Sequence, residues 1–390
     1  MNKMTPGNLV LNFTEEHECY RAYVRNFATR EIAPNSRKWD EENKIPWDAV
    51  RKMGEAGLLG VIAPKDMGGQ ARDNVSLGIT IEELARADIS CAIICWLQAS
   101  IGTLMPGWGA DTVRAVNAGE KMVALAMSEQ DSGSDVGNTS TVAIRDGDDY
   151  IISGTKIHVS LVPGAQVMAV TAKTETEDSK MSISMFRVDA DLPGVTVSSM
   201  EQMGARAHQL GRVIFDNVRV PSSALMGADG GGRQALNVRF NVSRCLSPLA
   251  AIGAAQTALE ETIEFTKNRI VYGRPIATNQ AVSFPLVEHW TRIEAARLMA
   301  YRALTLTTLG QTSMQEAAMA KWFGISSAKE AITDCLQLHG ADGYLVEYPQ
   351  EQRLRDVTAL SFTGGTINIM KVLLVRELFG RDFSGLDPSA

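Results

Sequence analysis

The chain has 390 residues, of which 45% are hydrophobic and 21% are charged, and its formal net charge at pH 7 is −7. A chain of this length can form two or three domains with a large core, and its acidic balance argues against a nucleic-acid partner. No apolar run approaches the roughly 20 residues that cross a bilayer, and no signal pattern opens the sequence, so we expect a cytoplasmic protein without a membrane partner.

The first part of the chain has the periodicity of helices. Apolar side chains recur at three- and four-residue steps from Thr14 to about Arg37. Similar patterns cover Trp47–Leu59, Val75–Ala87 and Ser90–Leu104. We therefore predict an N-terminal helical domain over residues 1–123.

Five cysteines are scattered along the chain, and Cys91 and Cys95 lie four residues apart. No Cys/His pair follows them that would complete a zinc site. We therefore expect free, buried thiols and no metal.

From about residue 124 the pattern becomes that of strands, with alternating β-branched residues and frequent turn residues. Asp146–Asp149 carries an Asp-Gly turn between two such stretches and predicts a hairpin. The strand candidates are Thr141–Arg145, Tyr150–Ile152, Ser182–Val188 and Arg212–Phe215. We predict a central β-barrel domain over residues 124–232, which ends in the glycine-rich linker Gly227–Gly232.

The last part of the chain again has helical periodicity, and we predict a C-terminal four-helix bundle over residues 233–390. Its small residues near the start suit closely packed helices. The four helical stretches are Leu249–Asn268, Phe284–Leu309, Met314–Leu338 and Ile367–Leu378.

Short motifs occur at intervals along this helical, β and helical order. They are Met127–Asp135, Gly154–Ser160, Met203–Arg206, Phe215–Pro221, Arg269–Gln280, Gln337–Pro349 and Gly365–Thr366. In composition, order and separation they resemble the motifs of the acyl-CoA dehydrogenase family, over essentially the whole chain. The resemblance implies that family's fold, which is α+β and mainly α. It also implies FAD as cofactor, an acyl-CoA or acyl-carrier-protein thioester as substrate, a homotetramer, and an electron-transfer flavoprotein or similar redox partner.

The resemblance also implies which residues surround the flavin ring. The hydroxyl- and glycine-rich loop places Met127, Ser128, Gly133 and Ser134 beside the ring and the substrate. Ser160 is similar to the hydroxyl residue that contacts the N5 region. His158 stands where an aromatic ring usually covers the flavin, and Thr366 belongs to a flavin-contacting Gly-Thr pair.

A second set of residues is implied to bind the adenosine and pyrophosphate of FAD across a subunit boundary. A guanidinium suits a pyrophosphate by its charge and its fork of donors. The set comprises Arg269, Tyr272, Gln280, Gln337 and the segment Gly340-Ala341-Asp342-Gly343-Tyr344. Met203–Arg206 and Phe215–Pro221 are interpreted as structural.

The chain departs from the family at the catalytic base. The residue before Gly-Thr is usually a glutamate that removes the substrate's α-proton, and here it is Gly364. A subgroup carries its base on another helix, where this chain has Ser243, and a nearby aspartate is replaced by Asn241. Arg244 is retained, which favours a carrier thioester. The catalytic residue is therefore unknown from the sequence, and His158 is a candidate acid or base or a cover for the ring.

The leading hypothesis is an FAD-dependent oxidoreductase that dehydrogenates an acyl thioester at the α,β-bond, or catalyses the reverse reduction, with atypical proton chemistry. A positioned base contributes about 10²–10⁴-fold to such a reaction, so its loss needs an explanation. Reduction of an unsaturated thioester, loss of a sulfinate or carboxylate, oxygen chemistry as in a monooxygenase, and a base elsewhere in the chain remain open. A lyase or desulfinase on this fold is one alternative, and a non-catalytic scaffold is another.

Overall fold

The computed structural model describes residues 13–103, 105–175 and 181–385. Leu104, the last residue of one predicted helix, lies outside these residues. So do residues 1–12 of the predicted N-terminal domain and residues 386–390 of the predicted C-terminal bundle. Helices form the first part of the described chain. They are α1 (Glu15–Phe27), α2 (Ser36–Glu42), α3 (Trp47–Glu55), α4 (Asn74–Ala87), α5 (Ile89–Leu97) and α6 (Ala110–Asn117).

The predicted helix from Thr14 to Arg37 is two helices rather than one. Thr14 caps α1, because its side-chain oxygen accepts a hydrogen bond from the backbone N–H of His17. A widened helical turn at Ala28–Ile32 follows α1, and a tightened turn at Ala33–Asn35 leads into α2. Pro34 lies in that turn, and a proline has no N–H with which to continue an α-helical ladder.

A curled sheet of seven strands follows. Its strands are β1 (Val123–Ala126), β2 (Val142–Asp146), β3 (Asp149–Ser160), β4 (Val167–Glu175), β5 (Met181–Asp189), β6 (Val195–Met200) and β7 (Leu210–Pro221). The order is β1-β4-β2-β3-β7-β6, with β5 paired to β4. The predicted hairpin is confirmed, since β2 and β3 are antiparallel and Asp146 lies opposite Asp149.

The end of β3 departs from regular pairing with β7. The register shifts between Lys156 and Val159, so the strand contains a bulge there. His158 lies in the bulge with a φ of 53°. A bulge bends its strand and changes the direction of a side chain, which is common beside binding sites.

Helices again form the rest of the chain. They are α7 (Gly232–Asn268), α8 (Gln280–Thr308), α9 (Met314–Leu338), α10 (Ala341–Tyr344), α11 (Pro349–Leu360) and α12 (Ile367–Phe379), and a small hairpin of β8 (Ile270–Val271) and β9 (Arg274–Pro275) follows α7. The four predicted helical stretches are confirmed, although α7 starts well before Leu249.

Buried charges join the N-terminal helices to the C-terminal ones. Glu82 of α4 is almost fully buried and accepts hydrogen bonds from Arg297 at 2.6 Å and from the Tyr301 hydroxyl at 2.5 Å. Arg21 of α1 reaches the same carboxylate at 3.1 Å. Burial of a carboxylate requires such partners, so this network fixes α1 and α8 against α4.

Among the residues that the structure describes, every helix is too short or too polar to span a bilayer. The same ranges contain no group of three or more His, Cys, Asp or Glu side chains that could hold a metal ion. The cysteines are free; Cys19 is exposed and the other four are buried.

Candidate active site

A cleft of about 690 Å³ lies between the curled sheet and the C-terminal helices. This volume is within the range of small-molecule sites. Three segments form most of its wall: the loop after β1, the end of β3, and the turn between α11 and α12. Each segment contains one of the motifs found in the sequence.

The structure brings together the first set of predicted site residues around this cleft. The backbone joins two of the segments, because Ile157 N–H donates to the carbonyl of Ser128 at 2.9 Å. The predicted residues that line the cleft are Met127, Ser128, Gly133, Ser134, His158, Ser160, Gly364 and Thr366. His158 reaches it through the bulge in β3, and its side chain is exposed.

A buried ion pair holds the loop after β1 in place. Lys156 is fully buried, and its Nζ donates to Glu129 at 2.7 Å and to the carbonyl of Met127 at 3.1 Å. Glu129 also accepts from Thr141 and from the backbone N–H of Ser140. Although burial opposes ionisation, these hydrogen bonds lower the pKa of Glu129 from its ordinary value of 4.5 to about 2. Glu129 is therefore a poor base and serves to position the loop.

The second set of predicted residues lies elsewhere. Arg269, Tyr272, Gln280, Gln337 and Gly340 are exposed, and none of them lines the cleft. Phe265 stacks on His339 with ring centroids 4.3 Å apart, so the ends of α7 and α9 meet and the set shares one end of the bundle. At 1.5 Å per residue, Arg269 lies about 40 Å along α7 from Phe240, which lines the cleft.

The missing carboxylate at Gly364 leaves open space beside a buried ammonium group. A Cβ atom on Gly364 would meet no atom within 4 Å except Lys321 Nζ, at 3.7 Å. Lys321, on α9, donates to the carbonyls of Thr363 at 2.5 Å and Gly365 at 2.6 Å. It thereby fixes the turn that presents Gly364 to the cleft.

The second position at which family members carry a base, Ser243 in this chain, is buried and does not face the cleft. Ser243 is buried and accepts a hydrogen bond from Trp96 Nε1 at 3.0 Å. Trp96 is also buried, and indole nitrogen is only a donor, so the serine hydroxyl satisfies it. Ser243 does not line the cleft and has a structural role in this chain.

Ser243→Ala should destabilise the protein by about 1–3 kcal/mol, because it leaves the buried Trp96 N–H without an acceptor. The free energy of unfolding from urea titration measures the effect. Ser247→Ala is the matched control, since Ser247 lies one turn later on α7 and its buried Oγ has no partner among the described residues. Equal loss of stability in both variants would contradict the role given to the Trp96 bond.

Several residues of the cleft were not predicted. Met203 and Gly204, whose motif was interpreted as structural, line it. His208, Leu210 and Phe240 also line it. Their signal in the sequence was their nearness to recognised motifs, because His208 and Leu210 follow Met203–Arg206 closely and Phe240 precedes Arg244 by one turn.

His208 is a neutral, oriented imidazole. It is almost fully buried, and its Nδ1 lies 2.6 Å from the carbonyl of Ala205, to which the neutral ring donates. Burial lowers the pKa of His208 to about 4. Nε2 is therefore left as the acceptor of the ring at neutral pH.

The residues around the cleft fit an isoalloxazine ring, whose edge carries both donors and acceptors. Ser160 and Ser134 bring hydroxyl groups to the wall, and hydroxyls can both donate and accept. Thr366 caps α12 by accepting from Ile369 N–H at 3.2 Å, which leaves its own proton free to donate. A Cβ on Gly133 would have no atom within 4 Å, so a ring can approach the backbone there.

Three family models match successive parts of the chain: acyl-CoA dehydrogenase N-terminal domain over residues 14–116, middle domain over 124–218 and C-terminal domain over 230–379. An acyl-CoA dehydrogenase of Bacillus subtilis (strain 168) is 34% identical over 377 residues, which cover 95% of this chain and 100% of that protein. A 3-(aryl)acrylate reductase of Clostridium sporogenes (strain ATCC 15579) is 32% identical over 373 residues, covering 94% and 99%.

A solved structure of a glutaryl-CoA dehydrogenase from Mycobacterium smegmatis, in complex with FADH2, superposes with a TM-score of 0.88. It is 25% identical, and the match covers 94% of this chain and 95% of that one.

Proposed function

The chain belongs to the acyl-CoA dehydrogenase family, and on that premise we propose that it reduces α,β-unsaturated acyl thioesters with FAD. It is an FAD-dependent oxidoreductase that acts on acyl thioesters. One observation favours reduction over dehydrogenation. Among the described residues that line the cleft, Glu129 is the only carboxylate, and it forms an ion pair with Lys156.

Bound FAD supplies hydride transfer to or from the β-carbon of the thioester. The protein's part is to bind and orient. Ser128, Ser134, Ser160 and Thr366 are proposed to hydrogen-bond the ring, and the loop after β1 keeps its place through the Glu129–Lys156 pair. His158 is proposed to pack against the ring from the bulge in β3.

The lack of a lining carboxylate that is free to act as a base favours reduction for a chemical reason. Dehydrogenation must remove a weakly acidic α-proton, and a positioned base accelerates that step by about 10²–10⁴-fold. Reduction instead protonates an enolate, which is a strong base, and water or a hydroxyl of the cleft can supply that proton. The relationship to a 3-(aryl)acrylate reductase supports this direction.

The assembly proposed for the chain is a homotetramer. In one subunit the exposed set around Arg269 lies about 40 Å along α7 from the cleft. One FAD molecule at the cleft is therefore proposed to receive this set from a neighbouring copy. Coenzyme A or an acyl carrier protein is the proposed carrier, and an electron-transfer flavoprotein is the proposed source of electrons.

The test is an anaerobic spectral titration of the FAD-bound protein. A saturated thioester such as butyryl-CoA should not reduce the flavin over minutes, so the visible band of the oxidised flavin should persist. The same protein, reduced with dithionite, should regain that absorbance when crotonyl-CoA is added.

Three outcomes would contradict the proposal. Rapid bleaching by butyryl-CoA would show an effective base and a dehydrogenase. Reoxidation by oxygen alone, with an oxygenated product, would show a monooxygenase. A purified protein that cannot take up FAD would favour a non-catalytic scaffold.

A further inference from the structure

Arg244 is a half-buried cation that has no counter-ion among the residues the structure describes. Its guanidinium lies over the ring of Phe240, with Cζ 5.4 Å from the ring centroid, and Phe240 lines the cleft. Arg244 Nε is buried without an acceptor among the described residues. No carboxylate of these residues pairs with it, and burial lowers its pKa. An arginine held in this way is suited to receive an anion from outside the chain.

The packing of α7 against α9 places Arg244 at the level of the space opened at Gly364. The two helices run parallel, since Phe265 stacks on His339 at one end and a Cβ on Gly324 would lie 3.0 Å from Pro248 further back. This register brings Lys321 level with Cys245, the neighbour of Arg244. Lys321 is the group nearest to a Cβ on Gly364.

Arg244 therefore brings a positive charge, without a carboxylate partner among the described residues, against Phe240 of the cleft wall. Glu129, the carboxylate of the cleft wall, forms an ion pair with Lys156, and Arg355 is paired with Asp40 at 2.7 Å. A guanidinium binds a carboxylate through two parallel N–H donors, which gives both affinity and orientation. A neutral thioester carbonyl would not compensate the charge.

We propose that the substrate's acyl group carries a free carboxylate, which occupies the space at Gly364 and binds Arg244. This inference rests on the proposed function and specifies its substrate class: acyl thioesters of dicarboxylic acids. The carboxylate lost from the chain at position 364 is, in this view, supplied by the substrate.

The test compares the affinities of matched thioesters for the FAD-bound protein under anaerobic conditions. S-acyl pantetheines are used, so that the phosphates of coenzyme A are absent. Methylmalonyl- and succinyl-pantetheine carry a carboxylate, and butyryl-pantetheine does not. Dissociation constants come from perturbation of the flavin absorbance, confirmed by calorimetry.

At least one carboxylated thioester should bind about 10- to 100-fold more tightly than butyryl-pantetheine, as expected for a hydrogen-bonded charge pair. Arg244→Gln should abolish this preference, and Arg244→Lys should retain part of it. Arg302→Gln is the control, since it removes the same charge from α8, where Arg302 lies 3.4 Å from Glu316.

Equal affinity of the wild type for all three thioesters would overturn the inference. So would an Arg244→Gln variant that binds all three more weakly by one factor, because Arg244 would then hold the thioester or its arm. If Arg244→Gln does not fold, the Arg244→Lys variant still tests the inference. A lysine variant that prefers carboxylated thioesters as strongly as the wild type does would refute the bidentate contact. If none of the thioesters binds, the proposed function itself fails.

Discussion

Gly364→Glu should increase the rate at which a saturated acyl thioester bleaches the flavin by about 10²–10⁴-fold, the contribution of a positioned base. The structure leaves room for the side chain, because the new Cβ would contact only Lys321 Nζ at 3.7 Å, an ordinary distance. Position 364 also faces the cleft. Anaerobic stopped-flow mixing of the FAD-bound variant with butyryl-CoA measures the effect.

The substitution also strains the backbone, and its control must account for this. Gly364 has a φ of 65°, in the left-handed region, where an L-residue is less stable by about 1–2 kcal/mol. Gly364→Gln introduces the same strain and nearly the same volume without a base. A glutamine variant as active as the glutamate variant, or a folded, FAD-bound glutamate variant that is not reduced, would refute the role given to this position.

Glu129→Gln should destabilise the protein by about 3–5 kcal/mol, because it leaves the ammonium group of the fully buried Lys156 unpaired. The loop after β1 should loosen at the same time, because Lys156 also holds the carbonyl of Met127. Chemical denaturation gives the free energy of unfolding, and flavin titration gives the affinity for FAD. Both should fall.

The ion pair also predicts a pH dependence. The pKa of Glu129 falls on folding from 4.5 to about 2, so its contribution to stability is complete above about pH 4.5 and is lost as the pH falls towards 2. Glu129→Gln should lack this part of the acid transition. Arg219→Gln, which breaks exposed pairs with Asp146 and Asp149, is the control and should not change the unfolding midpoint. A Glu129→Gln variant as stable as the wild type would refute the positioning role.

The sequence predicted those helices and strands that are determined by residues close together in the chain. The Asp-Gly turn produced the β2–β3 hairpin, and the helical periods of α8 and α9 were visible in the sequence. Strand β4 was missed because its residues are buried on both faces, so they do not alternate. Helix α11 was missed because its polar residues satisfy distant partners, as Arg355 does with Asp40 of α2.

Some residues of the candidate site were likewise predictable from the sequence, and others were not. Hydroxyl residues in recognisable loops, such as Ser128 and Ser160, were assigned from the sequence, and the fold brings them to one cleft. His208 was not assigned from the sequence, and neither was the lack of a carboxylate partner for Arg244 among the described residues. Their character depends on burial and on partners distant in sequence, which only the packed structure supplies.

The hydrogen bond between Trp96 and Ser243 bears on how the chain could acquire a base during evolution. A glutamate at 243 would place a carboxylate in a buried site already filled by an indole, whereas the space at Gly364 is open. The genetic code adds to this asymmetry, since some glycine codons become glutamate codons by one nucleotide change and no serine codon does. Selection for α-proton abstraction in this lineage should therefore act through position 364 and not through helix α7.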